Sequence, residues 1–334
     1  MPEAASEVGD HTDATLLDAS LDGPVRLMGT PWGVQRGDGT RWAKDPSAVR
    51  LGDRYLMYFT LAPRERDSTE GLRVGIAEST DLRTWRLSGQ LDPEGDYDAR
   101  GLAAPGAVVI DGVVHLFYQT YGNGRRDAIC HAQSRDGINF TRNPSNPVLR
   151  PSGAWNCGRA IDADAIVDGD RLLLAYATRD PEMKAQMVGV AEAPLDGGFG
   201  RDTWTDLSVD GPALEPQMPW EGECIEAPAF VRRGERLIMF YAGAYNNKPQ
   251  QIGYAVSEDG VHWRRGSTEP LLRHGDPGTW NSSESGHPGV LTDGDGRTYL
   301  FFQGNDTGGR TNLLGVTEIV WDGDRPVLLR DPVG

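Results

Sequence analysis

The sequence predicts an all-β fold, a five-bladed β-propeller with four-stranded antiparallel blades around a central channel. Three observations lead there. Short runs rich in Val, Ile, Leu, Tyr and Phe recur along the chain, bounded by Asp-Gly or Gly-Asp turns, which is the hairpin signature. No segment carries a sustained 3.6-residue apolar period with capping residues, so helices are expected to be few and short. The hairpins themselves recur about every sixty residues, as blades do. Glycine (43) and proline (22) make up about a fifth of the 334 residues, above the usual share of about 12%. That excess matches the turn inventory of about twenty strands.

In chain order the hairpins are Ser47–Thr60, turning at Gly52-Asp53, and Ala107–Thr120, turning at Asp111-Gly112. Ala163–Thr178, Ala229–Gly243 and Gly289–Gly304 follow. Each opens on a short motif: Lys44-Asp45-Pro46, Ala103-Ala104-Pro105, Ile161-Asp162-Ala163, Ile225-Glu226-Ala227-Pro228 and Gly286-His287-Pro288. From Asp45 through Ala104, Asp162 and Glu226 to His287 the steps are 59, 58, 64 and 61 residues. The second halves repeat as well. Val74–Ser79 leads to Asp81 and Trp85, Ile129–Ser134 to Asp136 and Phe140, and Ile252–Ser257 to Asp259 and Trp263. The third unit is looser, with Val188–Ala193 and Trp204, and the fifth ends in Leu314–Ile319 and Trp321. Residues 41–330 therefore read as one propeller domain. Residues 1–40, acidic and without periodicity, read as a tail or strap.

Charge narrows the partners. With 33 basic and 49 acidic side chains the formal charge is −16, which disfavours nucleic acid and an anionic membrane surface. No run approaches the ~20 apolar residues of a membrane span. Met1–Ala5 lacks the basic start and apolar core of a signal peptide, so a cytoplasmic location is expected. Three cysteines, Cys130, Cys157 and Cys224, form no CxxC pair and suggest buried thiols rather than a zinc ribbon or disulfide framework. Oligomeric state is not legible.

The innermost strand of each propeller blade lines the channel, so equivalent positions face one another. Asp45, Ala104, Asp162, Glu226 and His287 would then ring one pocket. Buried carboxylates are costly unless a site uses them. Converging carboxylates suit glycosidic bond cleavage, in which one protonates the leaving oxygen and another, ionised, activates water or attacks. Glu226 lies in an apolar run that should raise its pKa by desolvation, which fits the acid. Asp45, next to Lys44, fits the ionised role. Asp162 would orient the acid and hold its pKa up by like-charge proximity. Asp164 is an alternative third carboxylate, since it shares a strand face with Asp162. Sugar rings stack on aromatic faces, which makes Trp42, Trp155, Trp220 and Trp280 candidates at the rim. Tyr121 and Tyr245 lie in loops after second strands, and Arg159, three residues before Asp162, is placed to meet a hydroxyl or carboxylate. His287 is a candidate for substrate contact or for a cation in the channel. His115, His131 and His262 read as structural.

Taken together these motifs resemble glycoside hydrolase family 43. Lys44-Asp45-Pro46 before Tyr55-Leu56-Met57-Tyr58 looks like that family's opening blade. Ile161-Asp162-Ala163 is similar to its Ile-Asp-Pro stretch, and Ile225-Glu226-Ala227-Pro228 to its Ile-Glu-Gly-Pro stretch. The resemblance implies an inverting hydrolase with Asp45 as general base, Asp162 as pKa modulator and Glu226 as general acid. It implies an arabinofuranosidase or xylosidase type of activity on oligosaccharides. No cofactor is implied as required, although the family sometimes places calcium or sodium near a histidine such as His287. Family 32, the invertases and fructanases, is the rival, because Glu223-Cys224 matches part of its Glu-Cys-Pro motif and makes Glu223 a further candidate. A phosphorylase on the same scaffold and a non-catalytic carbohydrate-binding propeller are the alternative functions.

Overall fold

The computed structural model describes residues 26–29, 42–61 and 71–329. Five antiparallel sheets are arranged as blades, and within each the strands run from the channel outwards in sequence order. The innermost strands are Ala43–Leu51, Leu102–Ile110, Ile161–Asp168, Ile225–Arg233 and Glu284–Thr292. Each packs against the innermost strands of its two neighbours, and the first meets the last, so the ring closes. Three short 3-10 turns are the only helices among the described residues. Residues 62–70 and most of residues 1–40 lie outside the described residues.

The tail-or-strap segment contributes one element. Arg26–Gly29 pairs antiparallel with Leu313–Asp322, the third strand of blade 5, whose other half is covered by Arg325–Leu328. Segments that precede and follow the blade repeats thus share one strand edge, and the propeller's sheets begin before residue 41.

The second strands are near-continuous apolar runs, because every blade buries both faces against its neighbours. The result is five large hydrophobic clusters, one for each interface between blades, and a small sixth of Trp42, Leu72 and Ala103. The Asp81, Asp136 and Asp259 repeat has a local cause. Each carboxylate accepts two backbone N–H groups two and three residues ahead, and a serine two residues before it caps the turn. That turn sends Trp85, Phe140 and Trp263 back into the packing.

The inner strands run about four residues further than the hairpins read from sequence, because the proline-containing openings are bulges inside the strand rather than its start. Register shifts between Lys44 and Ser47, Ala103 and Gly106, Ile161 and Asp164, Glu226 and Ala229, and Gly286 and Gly289. A bulge tolerates proline since it takes that residue out of the ladder. The first bulged residue is left-handed in every blade: Asp45 (φ 56°), Ala104 (43°), Asp162 (52°), Ala227 (50°) and His287 (45°). Glu226 is therefore not equivalent to Asp45 and Asp162. It stands one residue earlier, in register with Lys44, and Ala227 holds the bulge position of blade 4.

Candidate active site

The five bulges meet beneath a funnel of about 340 Å³, lined among others by Trp42, Lys44, Asp45, Tyr121, Arg159, Asp162, Arg179, Gln186, Glu226, Tyr245, Asn246 and His287. Each bulge carboxylate is seated by the preceding blade. Asp45 N donates to Gln303 Oε1 (3.1 Å), and Asp162 N donates to Gln119 Oε1 (2.8 Å). Gln303 and Gln119 occupy the same place at the end of second strands, paired with Gly286 and Ala103. Gln303 in turn donates to buried Glu284 (3.0 Å). Left-handed φ costs a non-glycine residue roughly 1–2 kcal/mol, and these interblade bonds hold it there.

His287 is the centre of the electrostatics. Its Nδ1 lies 2.8 Å from Asp45 Oδ1 and its Nε2 lies 3.1 Å from Glu226 Oε1. Burial opposes charge on the ring, but Asp45, Glu226 and Asp162 surround it and raise its pKa well above the ordinary value, so it is an imidazolium at neutral pH. Asp45 feels burial first, yet His287, Lys44 (4.0 Å) and the Thr60 hydroxyl (2.6 Å) hold its carboxyl well below the usual range. Asp162 lacks Lys44 and Thr60 as partners, and His287 and Arg159 act on it through charge alone. Burial, with Glu226 and Asp45 nearby, pushes it up to about 7, and its buried Oδ2 has no hydrogen-bond partner.

Glu226 departs from expectation. Burial does press its pKa upwards, but His287, Lys44 and the amide of Gln250 (2.7 Å) outweigh it and hold the carboxyl below its usual value. Asn246 (3.0 Å) and Gln186 also donate to it. The proton that desolvation was expected to keep on Glu226 resides on Asp162 instead. Lys44 reaches Asn246 Oδ1 at 2.6 Å; burial works against its charge, and Asp45, Glu284 and Glu226 more than offset this.

The predicted residues divide. Asp45, Asp162, Glu226, His287, Trp42, Tyr121, Tyr245 and Arg159 all line the funnel. Asp164 does not. Two residues beyond the bulge, its Oδ2 accepts Phe230 N of blade 4 (2.7 Å), so it ties two blades together, as Ser47 does with Ala107 N (3.0 Å). Glu223 is exposed and outside the funnel lining, which removes the footing of the Glu-Cys likeness. Trp155 is tied to Ser208 O, and Trp220 and Trp280 stack on Tyr241 and Phe302 over glycines of the second and third strands, so these three pack the blades. His115 and His131 lie 3.1 Å apart in a buried aromatic cluster, also structural.

Lys44, Thr60, Gln119, Arg179, Gln186, Asn246, Gln250 and Gln303 were missed. The signal for four of them was in phase: Gln119 and Gln303 end apolar second strands, and Gln186 and Gln250 stand at the entries of third strands. Gly286 belongs with them, because a Cβ there would lie 1.7 Å from Gln250 Oε1 and displace the amide that holds Glu226.

Asp162, Glu226 and His287 each offer a ligand atom, all within 4.8 Å of one another. A cation does not fit this arrangement as it stands. Both nitrogens of His287 are turned to carboxylates, at 2.8 and 3.1 Å, which leaves neither nitrogen open to ligate a cation.

A five-bladed propeller that sets an ionised aspartate across its funnel from a closely spaced carboxyl pair has the equipment to cleave glycosidic bonds, and the protein is a glycoside hydrolase. More narrowly, it belongs to the glycosyl hydrolases family 43, whose family model matches residues 40–324. Among solved structures, a thermostable family-43 glycoside hydrolase superposes with a TM-score of 0.67 at 21% identity, over 87% of this chain and 95% of that one. An α-L-arabinofuranosidase from Lactobacillus brevis gives 0.64 at 15% identity, over 89% and 97%. The family 32 β-fructofuranosidase of Bombyx mori shares the fold too, at 0.66 and 19% identity, over 88% of this chain and 64% of that one.

Proposed function

We propose that this protein releases a terminal pentofuranosyl or xylosyl unit from short oligosaccharides by single displacement with inversion. The observation that carries the reading is His287 wedged between Asp45 and Glu226. The imidazole, with contacts of 2.8 Å to Asp45 Oδ1 and 3.1 Å to Glu226 Oε1, sets the two carboxyls on the order of 7–8 Å apart, inside the roughly 6.5–9.5 Å range of inverting pairs and beyond the roughly 5 Å of retaining ones. A funnel of 340 Å³ lies near the small end of ligand cavities, about 300–1,000 Å³, which supports a terminal unit over a long polymer.

Asp45, ionised at neutral pH, takes a proton from water as the water oxygen bonds to the anomeric carbon. The glycosidic C–O bond breaks, and the leaving oxygen takes a proton from Glu226. That proton comes from Asp162, whose carboxyl oxygen approaches Glu226 within 4.8 Å; the pair holds one proton between them, as close carboxyl pairs do. Burying a substrate against Glu226 excludes water and disfavours its charge, which draws the proton across. The test is hydrolysis of a panel of aryl furanosides and pyranosides, with the product anomer followed by NMR. The expected result is an inverted anomer from a pentoside, and a Glu226→Gln variant at least about 10²-fold slower. A retained anomer, or a Glu226→Gln variant at the wild-type rate, would overturn the assignment.

A further inference from the structure

Among the described residues, one cation in the funnel lacks a close carboxylate. Lys44 and His287 face Asp45 and Glu226. Two more cations, Arg159 and Arg179, converge from blade 3 on a single acceptor: Gln186 Oε1 lies 2.9 Å from Arg179 Nε and 3.4 Å from Arg159 Nη1. Arg159 has Asp127 at 3.5 Å, but the contact lacks hydrogen-bond geometry and leaves its buried Nε without a partner. Arg179 has no carboxylate within 4.0 Å among the described residues. It lies over the Tyr245 ring (5.0 Å), donates from Nη1 to Met183 O (3.3 Å), and its Nη2 donates to no protein atom described. A protein of charge −16 thus keeps two guanidiniums side by side in its funnel, and only Arg159 of the two has a described carboxylate close by.

Gln186 also donates through its amide to Glu226 Oε2, so the arginine pair stands immediately behind the acid. Blades 3 and 4 face blade 1 across the five-fold ring, and the attacking water is activated from blade 1 by Asp45. An anion held by Arg159 and Arg179 therefore sits on the leaving-group side of the scissile bond. Building on the glycosidase reading, we propose that the preferred substrates carry an oxyanion there, a carboxylate as in a uronosyl residue or a phosphate ester, gripped by the free Nη2 of Arg179 with the charge of Arg159 beside it. Guanidinium forks match both groups, since each presents coplanar oxygens to paired N–H donors.

The test compares aryl glycosides of one sugar with and without a carboxylate on the aryl leaving group, at low salt, for wild type, Arg179→Gln, Arg159→Gln and Arg179→Lys. The ratio of kcat/KM, anionic over neutral, is expected to fall about tenfold or more in each Gln variant, as for one lost charge-assisted hydrogen bond. Arg179→Lys is expected to recover part of it. An unchanged ratio in both Gln variants would sink the proposal while leaving the hydrolase reading intact. Calorimetry on the full chain is the independent arm, using a uronate-bearing disaccharide, its phosphorylated counterpart and the neutral parent. Tighter binding of one anionic sugar by about tenfold, lost in Arg179→Gln, supports the proposal and tells carboxylate from phosphate ester even if no aryl glycoside turns over. Equal binding of all three, or no binding of any, overturns it. So does turnover that requires inorganic phosphate, because the arginines would then serve the attacking group.

Discussion

Asp45 and Asp162 are the same residue at the same bulge of two blades, left-handed alike and each anchored by a glutamine from the blade before. Their carboxyls nevertheless differ widely. The first is held far below its ordinary value, and the second is lifted to about 7. Burial acts on both in the same direction and His287 pulls both down, so the difference lies in the remaining company. Asp45 has Lys44, Thr60 and a direct contact with His287. Asp162 has an Oδ2 without a hydrogen-bond partner and two acidic neighbours that, with burial, outweigh His287 and Arg159. The scaffold supplies five equivalent positions, and the neighbours decide which carboxyl is ionised and which holds a proton.

The comparison can be broken most severely at Asp45. Asp45→Asn keeps the shape, removes the base, and is expected to lower kcat/KM by about 10²–10⁴-fold with an unchanged circular dichroism spectrum. His287→Gln should erase much of the contrast. Without the imidazolium the pKa of Asp45 climbs, so the base is lost at higher pH than in wild type. The acid limb of the rate profile then moves up in pH, with losses of about 10–10²-fold that are greater at pH 5 than at pH 7. A limb that stays in place would show that His287 does not set the charge of Asp45.

Asp162→Asn tests the other carboxyl. In wild type the Asp162 proton is lost as pH rises through about 7, so kcat/KM should decline there, and the variant should be slower but lack that decline. Stability supplies a second readout. Because the folded-state pKa lies above the unfolded value, the stabilisation linked to this proton is fully present below about pH 4 and is lost as pH rises through about 7. Asparagine has no such loss, so the Tm of the variant should gain on wild type between pH 5 and pH 8. Parallel Tm curves would count against the raised pKa. The smallest effect on rate belongs to Asp164→Ala. It strands the N–H of Phe230 and should cost about 1–3 kcal/mol of stability, with kcat/KM within about threefold of wild type.

Much of this architecture was legible because hairpin turns and the sixty-residue period are written locally. The phase of blade 4 was not read correctly. Aligning on acidic residues picked Glu226, whereas aligning on the residue before Pro46, Pro105, Pro228 and Pro288 would have picked Ala227, since proline marks the bulge. The direction of the Glu226 shift was hidden for a different reason. Its apolar sequence neighbours point to desolvation, but Lys44, Gln186 and His287 act on it from three other blades and at least 40 residues away. Asp164 shows the same limit: alternation places it on the face of Asp162, but the bulge between them resets which face is which.

Blade 2 carries only a methyl group at the position where blades 1, 3 and 5 carry a carboxylate, a carboxylate and an imidazole. The backbone of Ala104 is already bent to the required left-handed turn, and its N–H is already held by Thr60 (2.8 Å). For an engineer this is a spare socket: a histidine or aspartate introduced at Ala104 would enter the charge ring from the unused side, between Asp45 of blade 1 and Asp162 of blade 3. The propeller's chemistry is thus open to being rewritten one blade at a time, without rebuilding the frame.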